Sequence, residues 1–263
     1  MSYKSIIIPK TANIAVSHQT NLGVDNYDLD ELYSPDTDQW RQKVLDLGPS
    51  KSVPNKSYWF DRSRYRNNGT INGAVWKQQP SGIWAMSFDG TDDYIDAGSA
   101  ANLRVTRGSI LVWIKPATVA AGTGFIAGLP YDDGATWDSP YTGFQIARAD
   151  KTLLWYGTVQ GTYIIYQSAA VFAVDTWYHA VITWDGTTAK GYVNASEVIS
   201  QVPATGGDIT YGSPNPSYVI GQRSKNAAGE YFNGLIPVVR TYNRCLTATE
   251  IQRHYLATKW EYQ

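Results

Sequence analysis

Three groups of residues in this 263-residue chain have the types and spacing to do chemistry. The first is an acidic turn, Asp89-Gly90-Thr91-Asp92-Asp93. Clustered carboxylates there suit a hard cation such as calcium, which takes oxygen ligands, and Asp89 and Asp92 are the candidate metal ligands, with Asp93 beside them. The same turn forms without an ion, because Asp89-Gly90 favours a tight turn and Asp92 bonds its own backbone. The second group is the loop at residues 129–141, which mixes Tyr131, Trp137 and Tyr141 with Asp132, Asp133 and Asp138. Sugars are gripped by rings on their C–H faces and by carboxylates that accept from hydroxyls. Tyr131, Asp133, Trp137 and Tyr141 are therefore the candidate carbohydrate-binding residues, and Trp155, Tyr156, Tyr163 and Tyr166 could extend their surface. A protein interface, or packing over a sheet edge, would use the same aromatics. The third group is the histidines and glutamates, read for acid–base work. Retaining glycoside hydrolysis needs two carboxylates about 5–5.5 Å apart, which a strand supplies at i and i+2. Glu31, Glu197, Glu230, Glu250 and Glu261 lack such a strand partner, and the alternating Asp28 and Asp30 lie in an N-terminal stretch poor in core residues. His18, His179 and His254 come without a G-x-S-x-G elbow, so a serine triad is not expected. Histidine and cysteine ligands for a zinc-type site are lacking too.

Bulk composition narrows the partners. Net charge is -1 with 17% charged residues and no basic patch, which argues against nucleic acid. No apolar run approaches the roughly 18 residues of a membrane span. A single cysteine, Cys245, rules out an intrachain disulfide and reads as a small buried hydrophobe. The apolar run at Ile6, Ile7 and Ile8 is too short for a secretory core, so synthesis without a Sec signal is expected.

The elements that must position these groups read as two regions. Residues 1–54 carry isolated apolar beads, among them Ile6, Ile7, Ile8 and Trp40, between polar residues. Such a stretch cannot build its own core, so it is expected to be an arm that packs on a neighbour. A short helix is expected over 38–47, where Trp40, Val44 and Leu47 share a face. Residues 55–263 show short strands spaced by turn chemistry, including 142–148, 152–156, 162–167 and 217–221, which points to a β-sandwich. The near-continuous apolar run at 108–116 suits a strand covered on both faces, ended by Pro116. Near the C-terminus, Thr247 and Glu250 form a capping box, and Leu246 and Ile251 form a hydrophobic staple. The helix they start should seal an end of the sandwich through Ile251 and Tyr255.

Phe232-Asn-Gly-Leu-Ile-Pro-Val-Val-Arg-Thr-Tyr-Asn-Arg-Cys-Leu-Thr-Ala-Thr-Glu-Ile251 resembles the closing segment of laminin-G-like, concanavalin A-like jelly-roll domains. Four further stretches, at 59–76, 83–98, 108–116 and 177–194, resemble that family's other motifs in the same order. Departures are local: Arg64, Tyr65 and Arg66 replace a glycine-bearing turn, Ala195 replaces a turn glycine, and Pro237 replaces an acidic residue. The resemblance implies an all-β, antiparallel two-sheet jelly roll with a short C-terminal helix. It implies that His179, in a W-x-H strand, is structural. It brings glucanases into view as rivals and calcium as a candidate structural ion, although the family's acidic position at 237 is lost. The expected role is a non-catalytic structural or adhesion protein of a larger assembly, of the phage virion decoration or fibre type, anchored by its arm. Other subunits of that assembly, self-association and an extracellular or virion location follow from it. The alternatives are a carbohydrate-binding lectin-like module and, less well supported, a glycoside hydrolase.

Overall fold

Two antiparallel sheets of eight strands each face one another. The first runs β14 (Ser196–Gln201), β13 (Ala189–Val193), β12 (Tyr178–Trp184), β7 (Gly108–Pro116), β16 (Asn233–Tyr242), β5 (Trp84–Asp89) and β4 (Val75–Gln78). Its eighth member, β1 (Lys43–Leu47), pairs with β16 beyond the point where β5 stops. The second sheet runs β11 (Thr162–Ala170), β10 (Thr152–Val159), β9 (Gln145–Ala149), β8 (Thr123–Gly128), β15 (Val219–Ile220), β6 (Tyr94–Asp96), β3 (Gly69–Asn72) and β2 (Tyr58–Trp59). The computed structural model describes residues 42–49, 54–119, 123–130, 144–211, 217–223 and 230–262, all within one unit, Asp36–Gln263. This is the expected jelly-roll sandwich.

Side-chain alternation explains the layers. On β7, Ile110, Val112 and Ile114 point between the sheets and join the main core. Leu111 and Trp113 point the other way, into a second buried cluster with Val181, Tyr192, Val238, Tyr242, Ile251 and Tyr262. The helix α1 (Ala248–Thr258) therefore covers the outer face of the first sheet. This corrects the expectation that it seals an end. It also explains the continuous apolar run of β7, which is buried on both faces. The capping box forms as read: Glu250 N donates to Thr247 Oγ1 at 3.3 Å, and Thr247 N donates to Glu250 Oε2 at 2.7 Å. Leu246 and Ile251 are both buried in that second cluster.

Residues 43–47 form a strand, not the second half of a helix. The tertiary reason is plain. β5 pairs with β16 only over residues 233–236, and Pro237 has no N–H to continue the ladder. The register of β16 against β7 shifts between Leu235 and Val238, as a proline inside a sheet requires. Beyond it, the free edge of β16 is completed by β1, and Val44, Leu45 and Leu47 enter the core. Part of the expected arm is thus built into the sheet, and the sandwich begins before residue 55. Ile6, Ile7, Ile8 and Trp40 lie outside the described residues. Cys245 is only half-buried, and burial pushes its thiol up.

Candidate functional site

The aromatic and acidic loop connects β8 to β9, neighbouring antiparallel strands of the second sheet. Tyr131, Asp133, Trp137 and Tyr141 lie outside the described residues; the stems of their loop do not. Leu129 N donates to Phe144 O at 3.3 Å, and Gln145 Nε2 donates to Leu129 O at 3.2 Å. Opposite Gln145 in the ladder stands Tyr156, whose ring stacks on Tyr163 at 6.2 Å between centroids. That ring pair lies on the outer face of the second sheet with Ala147 and Leu154. Trp155 and Tyr166 do not join it. Trp155 is fully buried in the core, donates to Thr183 O at 3.1 Å and packs on Phe144, Tyr166 and Trp184. Of the four aromatics expected to extend a sugar surface, strand alternation therefore sends two inward. Gln145 went unnoticed in the sequence; its position two residues after the loop was the available signal.

The acidic turn joins β5 to β6 at the opposite end of the strands. Ligand oxygens of Asp89, Asp92 and Asp93 lie within 4.8 Å of one another, the first two exposed and the third buried. Local bonds hold the turn: Thr91 N donates to Asp89 Oδ1 at 2.7 Å, and Asp89 N donates to Asp93 Oδ2 at 2.8 Å. The backbone bonding read from the sequence thus falls to Asp89 and Asp93. Burial raises the Asp93 carboxyl above its ordinary range, and the Asp89 and Asp92 charges add to that, against the Asp89 amide. Asn233, which pairs with Asp89, packs its side chain against Gly90. Three oxygen donors whose charges repel fit a hard cation, which would relieve the repulsion.

His18, Asp28, Asp30 and Glu31 lie outside the described residues, and five of the other acid–base candidates are engaged elsewhere. Glu197 accepts from Lys190 Nζ at 2.9 Å and from Tyr192 Oη at 3.1 Å. Glu230 accepts from Arg223 at 3.0 Å, and Glu250 takes both Arg244 nitrogens at 2.8 and 2.7 Å. His179 and His254 meet each other under α1, at 3.0 Å between Nε2 and Nδ1. Burial first, and the Arg240 charge second, pushes His179 down to about 3 and His254 well below the usual range. Arg240 in turn donates Nε to Asp46 Oδ1 at 2.8 Å, and Lys43 Nζ donates to Asp46 Oδ2 at 2.9 Å. Burial opposes the Asp46 charge, yet Arg240 and Lys43 outweigh it and hold this carboxyl well below its ordinary value. Among the described residues, no helix is long and apolar enough to cross a membrane.

Residues 89–252 match the family described as the concanavalin A-like lectin/glucanases superfamily. By sequence, no curated protein matches the chain. Among solved structures, domain 4 of an extracellular arabinanase from Geobacillus stearothermophilus, in complex with arabinotriose, is similar at 18% identity and a TM-score of 0.59, over 80% of this chain and 97% of that one. The binding domain of Paraclostridial Mosquitocidal Protein 1 is similar at 14% identity and a TM-score of 0.61, over 82% of this chain and 52% of that one. A Trypanosoma rangeli sialidase mutant displaying trans-sialidase activity is similar at 18% identity and a TM-score of 0.58, over 85% of this chain and only 34% of that one.

Proposed function

The chain belongs to the concanavalin A-like lectin/glucanase superfamily, and from that premise we propose that it is a non-catalytic carbohydrate-binding module. One observation carries the reading. The loop that concentrates Tyr131, Asp133, Trp137 and Tyr141 is carried on paired strands whose stems are bonded together beside the Tyr156–Tyr163 ring pair. A rigid frame of this kind lowers the entropy lost when a loop grips a ligand. The similar arabinanase domain, covered over nearly its whole length, is in complex with arabinotriose. The non-catalytic part draws on the ion pairs that occupy Glu197, Glu230 and Glu250, on the burial of His179, and on its bond to the half-buried His254. Calcium at Asp89, Asp92 and Asp93 belongs to this proposal as a structural ion. The test is a glycan array followed by calorimetry with the full chain, with arabino-oligosaccharides as the first probe. Binding is expected, and Trp137→Ala should abolish it while leaving the unfolding midpoint unchanged. A blank array, or equal binding by the variant, refutes the reading.

A second reading, display on a larger assembly such as a virion decoration or fibre, draws on the residues ahead of β1. There Ile6, Ile7, Ile8 and Trp40 offer apolar anchors for neighbouring subunits. It is compatible with sugar binding.

A further inference from the structure

The polar chain under α1, buried except at the half-buried His254, has a direction. It runs from Lys43 and Asp46 on β1, through Arg240 on β16 and His254 on α1, to His179 on β12. Arg240 donates Nε to Asp46 and Nη1 to His254 Nε2. A guanidinium only donates, so His254 Nε2 must carry a lone pair. The proton of His254 is then on Nδ1, and it goes to His179 Nε2, 3.0 Å away. His179 therefore keeps its own proton on Nδ1, a buried atom with no hydrogen-bond partner among the described residues. Every tautomer in the chain is fixed by the arginine at its head.

This order leaves no place for another proton. Protonating His254 puts an N–H against the Arg240 N–H. Protonating His179 puts an N–H against the His254 N–H. Either event also adds positive charge beside Lys43 and Arg240, which both bond the Asp46 carboxylate. Among the described residues, the other groups around the pair give no relief. Tyr242 on β16 is a buried phenol whose ionisation burial opposes. Tyr255 on α1 presents its ring to His179 at 5.9 Å, and Trp113 on β7 does so at 5.3 Å. Glu250, at the start of the helix, is already bound by Arg244.

We propose that this relay is an acid-operated latch: protonation of the His179–His254 pair releases α1 from the outer face of the first sheet. Release uncovers Trp113, on which Tyr262 stacks at 4.3 Å and whose Nε1 donates to Thr258 Oγ1 at 3.0 Å. The device is independent of sugar binding, since it lies on the first sheet and the aromatic loop on the second.

The sign follows from proton linkage. Docked, both histidines titrate below their ordinary value of about 6.5, so the released state binds more protons at acid pH. Docking is at full strength above that value and weakens as pH falls toward the docked values. Each histidine raises the released-to-docked ratio by up to about tenfold per pH unit, and the pair by up to about 100-fold. Asp46 opposes docking only below its ordinary value of about 3.9, and Glu250, which caps α1, only below about 4.5, so the window from 6.5 to about 5 belongs to the histidines.

Hydrogen exchange of the full chain between pH 7 and 4.5, corrected for intrinsic rates, tests the latch. Amides of α1 are expected to lose protection by more than tenfold per pH unit below 6.5, while those of β7 stay the better protected at every pH. His254→Gln keeps an acceptor for Arg240 and a donor for His179 but does not titrate, so the slope should fall toward one proton. Protection of α1 that is flat with pH, joint loss in α1 and β7, or an unchanged slope in the variant each overturns the proposal. Should that variant not fold, the pH series of the unaltered protein decides alone.

Discussion

Ala195 shows how one side chain can work against its own turn. It follows Asn194 between β13 and β14, and the two residues have φ of 66° and 50°. A two-residue hairpin with both φ positive wants glycine at the second position, because only glycine enters the left-handed region without a Cβ penalty. The Ala195→Gly variant is expected to be more stable by about 1 kcal/mol, the penalty of roughly 1–2 kcal/mol being partly offset by greater freedom of the unfolded chain. Thermal unfolding checks it, and an unchanged or lower Tm refutes it. The acidic turn makes a second prediction at this scale. If calcium binds with the roughly millimolar affinity of extracellular sites, ten times that concentration stabilises the fold by about 1.4 kcal/mol. Tm should then rise by about 3–5 °C. Asp92→Asn should remove that rise, since Asp92 supplies an exposed carboxylate. No shift, or an equal shift in the variant, removes calcium from the account.

Elements differed in how far the sequence foretold them, and the reason is the distance over which each is decided. α1 was legible because its cap, staple and apolar face are contiguous: Thr247, Glu250, Leu246 and Ile251 need no partner elsewhere to be recognised. β7 was legible because both its faces are apolar. β1 was misread because its strand conformation answers a gap in β16 made by Pro237, and its Asp46 meets Arg240 across 194 residues. His179 could be read as structural, whereas its pairing with His254 depends on where α1 docks. In the 129–141 loop and the strands after it the residue types were legible, but not that strand alternation turns Trp155 into the core and packs the half-buried Tyr166 against it. The placement of β1 predicts the outcome of deleting residues 1–50. Removing residues 1–50 takes Val44, Leu45 and Leu47 from the core, each worth about 1.5–3 kcal/mol. It also takes the Asp46 carboxylate away from the buried Arg240, at about 3–5 kcal/mol. Together these rival the whole stability of a domain, about 5–15 kcal/mol. Cooperative unfolding should be lost in that deletion and kept when the cut is made before Gln42. A cooperative transition in the longer deletion would mean that β1 is dispensable.

At the scale of the whole molecule, the two functional readings divide over what lies ahead of β1. A sugar-binding sandwich needs its frame, whose described strands begin at Lys43, and its loop at 129–141. An assembly component needs a second set of contacts, and Ile6, Ile7, Ile8 and Trp40 are where the sequence offers them. The cut before Gln42 separates the readings because it spares β1 and with it the Asp46–Arg240 pair. Light scattering of the full chain and of this truncation gives the answer as a mass. On the assembly reading the full chain is a multimer, and the truncation is a folded monomer that still binds its glycan. If both are monomers, the leading residues do not mediate self-association, and the sugar-binding module stands without the assembly role. If both are multimers of equal order, the contacts lie on the sandwich itself. The exposed Leu256 on α1 and Trp260 just past its end are then the first side chains to replace with polar ones.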